Sequence, residues 1–270
     1  MNEAPPKITR TPGLKTVVQD ANGKPLVSFF EEFREELNDL KQVAPIMQEA
    51  MISIEDSRFY EHGALDVKGT LAALVKNASS DSVQGGSTLT QQLAKNMLIN
   101  NTTTEEGYKD ATAGTAERKL RELSLAISLE KNNTKQQILL QYLNISNFGA
   151  GAYGIEAASK RYFTKSASKL KLPEAALLAG ITQNPVKFDP TTQPEKALER
   201  RNVVISRMAE LGKITPAEAT AAKATKLKLK QFKPKGGCET SKSPYFCQYV
   251  YGDLIKIFIC LLYTSDAADE

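Results

Sequence analysis

Residues Glu55-Asp56-Ser57-Arg58-Phe59-Tyr60-Glu61-His62-Gly63 set two adjacent carboxylates, an arginine and the single histidine of the chain directly after the apolar stretch VAPIMQEAMISI. A carboxylate at the mouth of an apolar helix is partly desolvated, which suits it to general acid or base work. The plainer account is a helix-end cluster in which Glu55 and Asp56 pair with Arg58. A second segment is Gly85-Gly86-Ser87-Thr88-Leu89-Thr90-Gln91-Gln92-Leu93-Ala94-Lys95-Asn96. Leu89, Leu93 and Met97 predict a buried helical stripe, with Thr88, Gln92, Lys95 and Asn96 on other faces. Thr88 and Gln91 have capping-box spacing, and a Gly-rich turn opening a helix offers backbone N–H groups to an anion. No lysine follows the glycines where a nucleotide-phosphate loop needs one. The plainer account is a solvated helix face. In a third segment, Arg118-Lys119-Leu120-Arg121-Glu122, Arg118 and Glu122 lie one turn apart. They form either a surface ion pair of little energetic weight or a second carboxylate flanked by cations for an anionic leaving group.

The elements that must position these residues read as helices. Ile46, Ala50 and Ile54 recur every four residues, as do Val67, Leu71 and Val75 with Leu74 beside them. AERKLRELSLAISLEK predicts a helix with Leu120, Leu123 and Ile127 inward. Thr134 and Gln137 cap the next one, and NFGAGAYG connects it to the helix IEAASKRYF. LPEAALLAGI follows, then a helix from Pro194 to the stop at Gly212, then a capping box at Thr215 and Glu218. TVVQDANGKPLVSFF reads as a hairpin turning at Asn22-Gly23. NNTTTEEGYKDATAGT reads as a polar, mobile loop, and KATKLKLKQFKPKGG as an exposed strand or linker.

Composition excludes other classes. The chain has 270 residues, 41% hydrophobic and 24% charged, which is ordinary for a globular domain. The net charge of +4 is too mild to point to nucleic acid. One histidine excludes a zinc site built on several. Of three cysteines, Cys238 and Cys247 share the short stretch GGCETSKSPYFC, where a local disulfide in an oxidising compartment is expected, with Cys260 left over. The N-terminus, MNEAPPKITRTPG, has no signal-peptide apolar region, and the run IKIFICLLY is too short to span a bilayer.

Taken in order, the segments resemble the motifs of the peptidoglycan glycosyltransferases, glycosyltransferase family 51, the polymerising domain of class A penicillin-binding proteins. EDSRFYEHG resembles the first motif, GGSTLTQQLAKN the second and ERKLRE the third. KQQILLQYLNISNFGAGAYGIEAASKRYF resembles the fourth, and LPEAALLAGITQNPVKFDP with PEKALERRNVV the fifth. The resemblance implies a mainly α, lysozyme-like helical bundle with a small mobile jaw subdomain, here with an N-terminal β-hairpin. It assigns Glu55 and Glu122 as catalytic. Lys95, Arg118 and Lys119 become cations for pyrophosphate, and Ser87, Thr88, Gln91, Gln92 and Asn96 the residues shaping the donor site.

The implied reaction polymerises lipid II into β-1,4-linked glycan with inversion, releasing undecaprenyl pyrophosphate. Glu55 takes the proton of the acceptor 4-hydroxyl. Glu122 positions the cations, holds a divalent metal such as Mg, or stabilises positive charge on the sugar. No organic cofactor is implied. The expected partners are lipid II, the lipid-linked glycan, the membrane surface and moenomycin-type inhibitors, at the extracytoplasmic face of the bacterial cytoplasmic membrane. Leu98 and Ile99 are the expected membrane contacts. A lysozyme-like hydrolase and a non-catalytic scaffold module are the alternatives. Residues 1–19 read as a polar segment, 20–227 as the glycosyltransferase domain, 228–254 as a linker toward a transpeptidase domain and 255–270 as a tail unlike the family. The membrane anchor and transpeptidase domain that the resemblance implies are not found in this sequence. The basic residue that the family keeps between its second and third motifs has only Lys109 as a candidate.

Overall fold

The structure is a computed structural model and describes residues 16–19, 25–29, 33–66, 86–102, 104–232, 238, 244–250 and 252–253. It is mainly helical. The expected turn at Asn22-Gly23 and the expected helix carrying Val67, Leu71, Leu74 and Val75 lie outside the described residues. By its contacts the chain divides into two units. One holds Phe33–Phe232, and the other holds the N-terminal hairpin together with the segment from Lys233 onward.

In the second unit, β1 (Thr16–Gln19) pairs antiparallel with β2 (Pro25–Phe29), Val18 opposite Val27, with an irregularity at Val18/Gln19. The expected hairpin is therefore present. The same unit contains the expected disulfide between Cys238 and Cys247, whose Cα atoms are 5.3 Å apart.

The larger unit starts with β3 (Phe33–Arg34), which pairs with β4 (Ala152–Tyr153). Its helices are α1 (Pro45–Glu55), α2 (Leu89–Asn100), α3 (Glu105–Thr112), α4 (Ala116–Asn132), α5 (Lys135–Ile145), α6 (Ile155–Phe163), α7 (Leu172–Ile181), α8 (Pro194–Glu210) and α9 (Pro216–Ala224). Helix α1 packs on α7 and α8, while α2 packs on α4 and α5. Met47, Ala50, Met51 and Ile52 of α1 are buried, and Ile46 and Ile54 only partly so. Leu89, Leu93 and Met97 form the buried stripe of α2 that their spacing predicts. Complete burial of such side chains contributes about 1.5–3 kcal/mol each.

The capping boxes at Thr134/Gln137 and Thr215/Glu218 are both formed. In the NFGAGAYG connection Gly149 has φ +78°, and a Cβ there would lie 2.8 Å from the Pro185 carbonyl oxygen, so no side chain fits. Residues 226–232 run without regular structure along the end of α6, with Lys230 N–H on Tyr162 O and Phe232 N–H on Arg161 O, each at 2.9 Å.

Two expectations fail. The polar stretch after α2 contains a helix, α3. Thr104 caps it, Glu105 and Glu106 occupy its positive first turn, and Lys109 closes an ion pair with Glu105 at 2.7 Å. Both side chains of that pair are exposed. Helix α4 also turns the other way from its apolar spacing. Leu120 (66% exposed) and Ile127 (52%) face outward and Leu123 is partly buried, while Glu122, Ala126 and Leu129 face inward. The inward stripe is the one that carries Glu122 and its cations.

Candidate active site

Glu55 is the last residue of α1 and is half-buried. Both of its carboxylate oxygens have donors. Gln92 Nε2 of α2 donates to Oε2 at 2.8 Å, and the hydroxyl of Thr182, which ends α7, donates to Oε1 at 3.1 Å. The amide of Gln92 is oriented in turn by Tyr142 of α5, whose hydroxyl donates to Gln92 Oε1 at 3.2 Å. Burial first, then the charge of Glu55, pushes the ionisation of Tyr142 upward, so the phenol stays a neutral donor. Packing of α1 on α7, and of α2 on α5, delivers these four side chains to one place.

The pairing of Glu55 and Asp56 with Arg58 does not occur. Arg58 pairs with Asp66, while Asp56 is buried, with Oδ1 2.8 Å from His62 Nε2 and Oδ2 accepting the Leu89 N–H at 3.0 Å. Asp56 therefore takes one of the open N–H groups at the start of α2. Thr88 and Gln91 are also buried. Thr88 caps α2 at the Gln91 N–H, and both side chains donate to the Ala64 carbonyl at 3.1 Å. Gln91 does not return to the cap backbone, so the capping box is half formed, and these two residues hold the loop after α1 against α2.

The second carboxylate is Glu122, only 1% exposed. Arg118 pairs with its Oε1 and Lys119 Nζ with its Oε2 at 3.0 Å. Lys119 Nζ also donates to Ser87 Oγ at 3.0 Å, which ties α4 to the start of α2. Lys95 is exposed, and among the described residues it has no ion-pair partner. Asn96 is half-exposed beside it.

The metal expectation finds no seat at Glu122, because both of its oxygens face cations. Among the described residues, Asp56, His62 and Asp66 each bring a ligand-type atom to within 4.8 Å of the others. Those atoms are already engaged. Asp56 serves His62 and Leu89, the other nitrogen of His62 lies 2.7 Å from Gly63 O, and Asp66 pairs with Arg58. As folded, the cluster is a hydrogen-bonded clasp whose three ligand-type atoms could hold a divalent ion in exchange for these partners.

The sequence reading missed Tyr142, Thr182 and Arg200. Of the Arg200-Arg201 pair on α8, Arg201 is buried and donates to the Lys223 and Thr225 carbonyls at the end of α9. Arg200 lies with its stem on Gly180 and its guanidinium 5.9 Å from the Phe188 ring centre. Burial lowers the pKa of Arg200 and the charge of Glu55 opposes that, while its buried Nε has no hydrogen-bond partner among the described residues. All three lie in segments noted for their wording, but no local spacing marks them, since their relation to Glu55 is tertiary.

A family model described as "Transglycosylase" matches residues 22–209. The chain is similar to penicillin-binding protein 1F of Bacillus subtilis (strain 168), 36% identical over 234 residues, covering 86% of this chain and 30% of that protein. It is also similar to penicillin-binding protein 1A of Aquifex aeolicus (strain VF5), 45% identical over 170 residues, covering 63% and 22%. A crystal structure of penicillin-binding protein 1A from Haemophilus influenzae aligns with 88% of this chain and 23% of that one, at TM-score 0.48 and 20% identity. The chain spans less than a third of the length of these relatives.

Proposed function

The chain belongs to the transglycosylase family, and from that premise we propose that it polymerises lipid II into β-1,4-linked glycan strands of peptidoglycan, with inversion, releasing undecaprenyl pyrophosphate. The observation that carries this is the contrast between two carboxylates in unlike settings. Among the described residues Glu55 is half-buried with hydrogen bonds from two neutral donors and the Arg200 charge acting at longer range, while Glu122 is buried beneath two cations that pair with it directly.

Glu55 is the general base. It takes the proton of the acceptor 4-hydroxyl as that oxygen bonds to the donor anomeric carbon. The bond from that carbon to the pyrophosphate oxygen breaks, and its electron pair leaves with the lipid pyrophosphate. Lys95, Arg118 and Lys119 receive the developing charge. Glu122 is their counter-charge and fixes Arg118 and Lys119 in place. Ser87 shares Lys119, Gln92 orients Glu55, and Asn96 lines the donor side. Thr88 and Gln91 act by holding the loop after α1. No step runs through a divalent metal such as Mg.

The substrate's polyprenyl tail stays in the bilayer, so the cleft works at the membrane, at the extracytoplasmic face of the cytoplasmic membrane. No described helix is long and apolar enough to cross a membrane. The membrane contact we favour is the outward stripe of α4, Leu120, Ser124, Ile127 and Lys131, at helical spacing and all exposed. Leu98 and Ile99 are partly buried and suit this role less well. Moenomycin-type phosphoglycolipids compete for the same cations.

Incubation with labelled lipid II tests the reading. A transferase forms polymer and lipid pyrophosphate. A lysozyme-like hydrolase consumes finished glycan instead, and a scaffold module does neither.

A further inference from the structure

Thr182 ends α7 with its hydroxyl oxygen 3.1 Å from Glu55 Oε1 and 2.8 Å from the Ala179 carbonyl oxygen. A hydroxyl has one hydrogen and two lone pairs, so it serves one of these acceptors at a time. The partner of the other carboxylate oxygen is of a different kind. Gln92 presents an amide N–H to Oε2, and turning that amide over would break the bond that Tyr142 makes to its carbonyl end. An amide N–H only donates, so that side of the carboxylate favours charge whatever the stage of the reaction.

We propose that Thr182 is a positioning residue for proton uptake and that Oε1 is the oxygen of Glu55 that takes the proton. The proposal rests on the reading of Glu55 as the base. While Glu55 is ionised, the Thr182 hydrogen points at Oε1. As the proton of the acceptor hydroxyl arrives on Oε1, the Thr182 hydrogen turns to Ala179 O, and a lone pair of the same hydroxyl faces the carboxylic acid. The electron pair left on the sugar oxygen forms the new glycosidic bond, and the pair of the broken bond departs with pyrophosphate. The hydroxyl thus stays hydrogen-bonded in both protonation states, which a valine of the same shape cannot do.

The test is the pH profile of lipid II polymerisation by the chain, measured for wild type, Thr182→Val, Thr182→Ser and Glu55→Gln. The charged and titratable groups that act on Glu55 from the neighbouring helices are Arg200 of α8 and Tyr142 of α5, which also meets the Thr182 hydroxyl, and both are kept in every variant. Loss of a donor to an ionised acid makes that acid easier to protonate. Thr182→Val should lower kcat about tenfold with little change in KM, and should move the acid limb of kcat/KM upward by about one pH unit, the size expected for one hydrogen bond to a charged group. Thr182→Ser should restore both. An acid limb that stays in place in Thr182→Val would overturn the proposal, whether or not the rate falls, because a packing role changes rate without moving the limb. Thr182→Ser behaving like Thr182→Val would overturn it too. Failure of the underlying reading looks different: Glu55→Gln would then polymerise at near wild-type rate, whatever Thr182→Val does.

Discussion

Gln92 Nε2 donates to Glu55 Oε2 at 2.8 Å across 37 residues of chain. That bond joins the end of α1 to a half-buried side of α2, whose core side is the Leu89, Leu93 and Met97 stripe. Helix α2 thus has two functions. Its buried side locks it to the core, its other side carries Gln92 to Glu55, and Ser87, just before its cap, meets Lys119; Lys95 and Asn96, on its outer face, are the residues proposed to meet the donor.

Glu122→Gln should cost both activity and stability. The variant keeps the shape but leaves Arg118, itself largely buried, without its counter-charge. Breaking a fully buried pair costs about 3–5 kcal/mol, and the half-exposed Lys119 reduces that to roughly 1–3 kcal/mol here. Thermal unfolding should register the loss. An unchanged melting temperature would mean that Glu122 does not anchor these cations.

Lys95→Ala should weaken moenomycin binding by about tenfold, the loss of one charge-assisted contact. Its exposure, and its lack of an ion-pair partner among the described residues, predict an unchanged melting temperature. A titration that finds unaltered affinity would remove Lys95 from the pyrophosphate site.

Replacing Leu120 and Ile127 together by Ser should reduce binding to anionic vesicles and turnover of full-length lipid II, with a short-chain analogue in detergent much less affected. Both side chains are more than half exposed, so the melting temperature should hold. The same change at Leu98 and Ile99 should lower it, because those side chains are partly buried. Equal losses on the long- and short-chain substrates for the Leu120/Ile127 pair would count against a membrane role.

The Cys238–Cys247 disulfide closes a short loop, its cysteines nine positions apart in the sequence. Alkylation followed by mass spectrometry should label these two residues only after reduction. Labelling of both beforehand, in protein made under oxidising conditions, would contradict the pairing.

The helices were largely legible in the sequence because caps and stripes are local. Thr134/Gln137 and Thr215/Glu218 formed the boxes their spacing predicts, and Leu89, Leu93 and Met97 went inward. Helix α4 was misread because it carries two stripes. Leu120 and Ile127 look like the core face, but burying Glu122 with its cations requires the opposite one. Helix α3 was hidden by its polar composition, and only Thr104 with the acids behind it marks its start. Of the proposed site, Glu55, Gln92, Arg118, Lys119 and Glu122 are the residues that the motifs single out. Thr182 is not among them, because its bond to Glu55 spans 127 residues and no local spacing encodes it.

The central claim is that the carboxylate of Glu55 accepts the acceptor's proton. Its most direct test is the rate of polymer formation from labelled lipid II by Glu55→Gln, in protein whose melting temperature matches wild type. The carboxamide keeps the shape but cannot accept the proton, so the rate should fall on the order of 10²–10⁴-fold. Polymerisation at near wild-type rate by the folded variant would contradict the account.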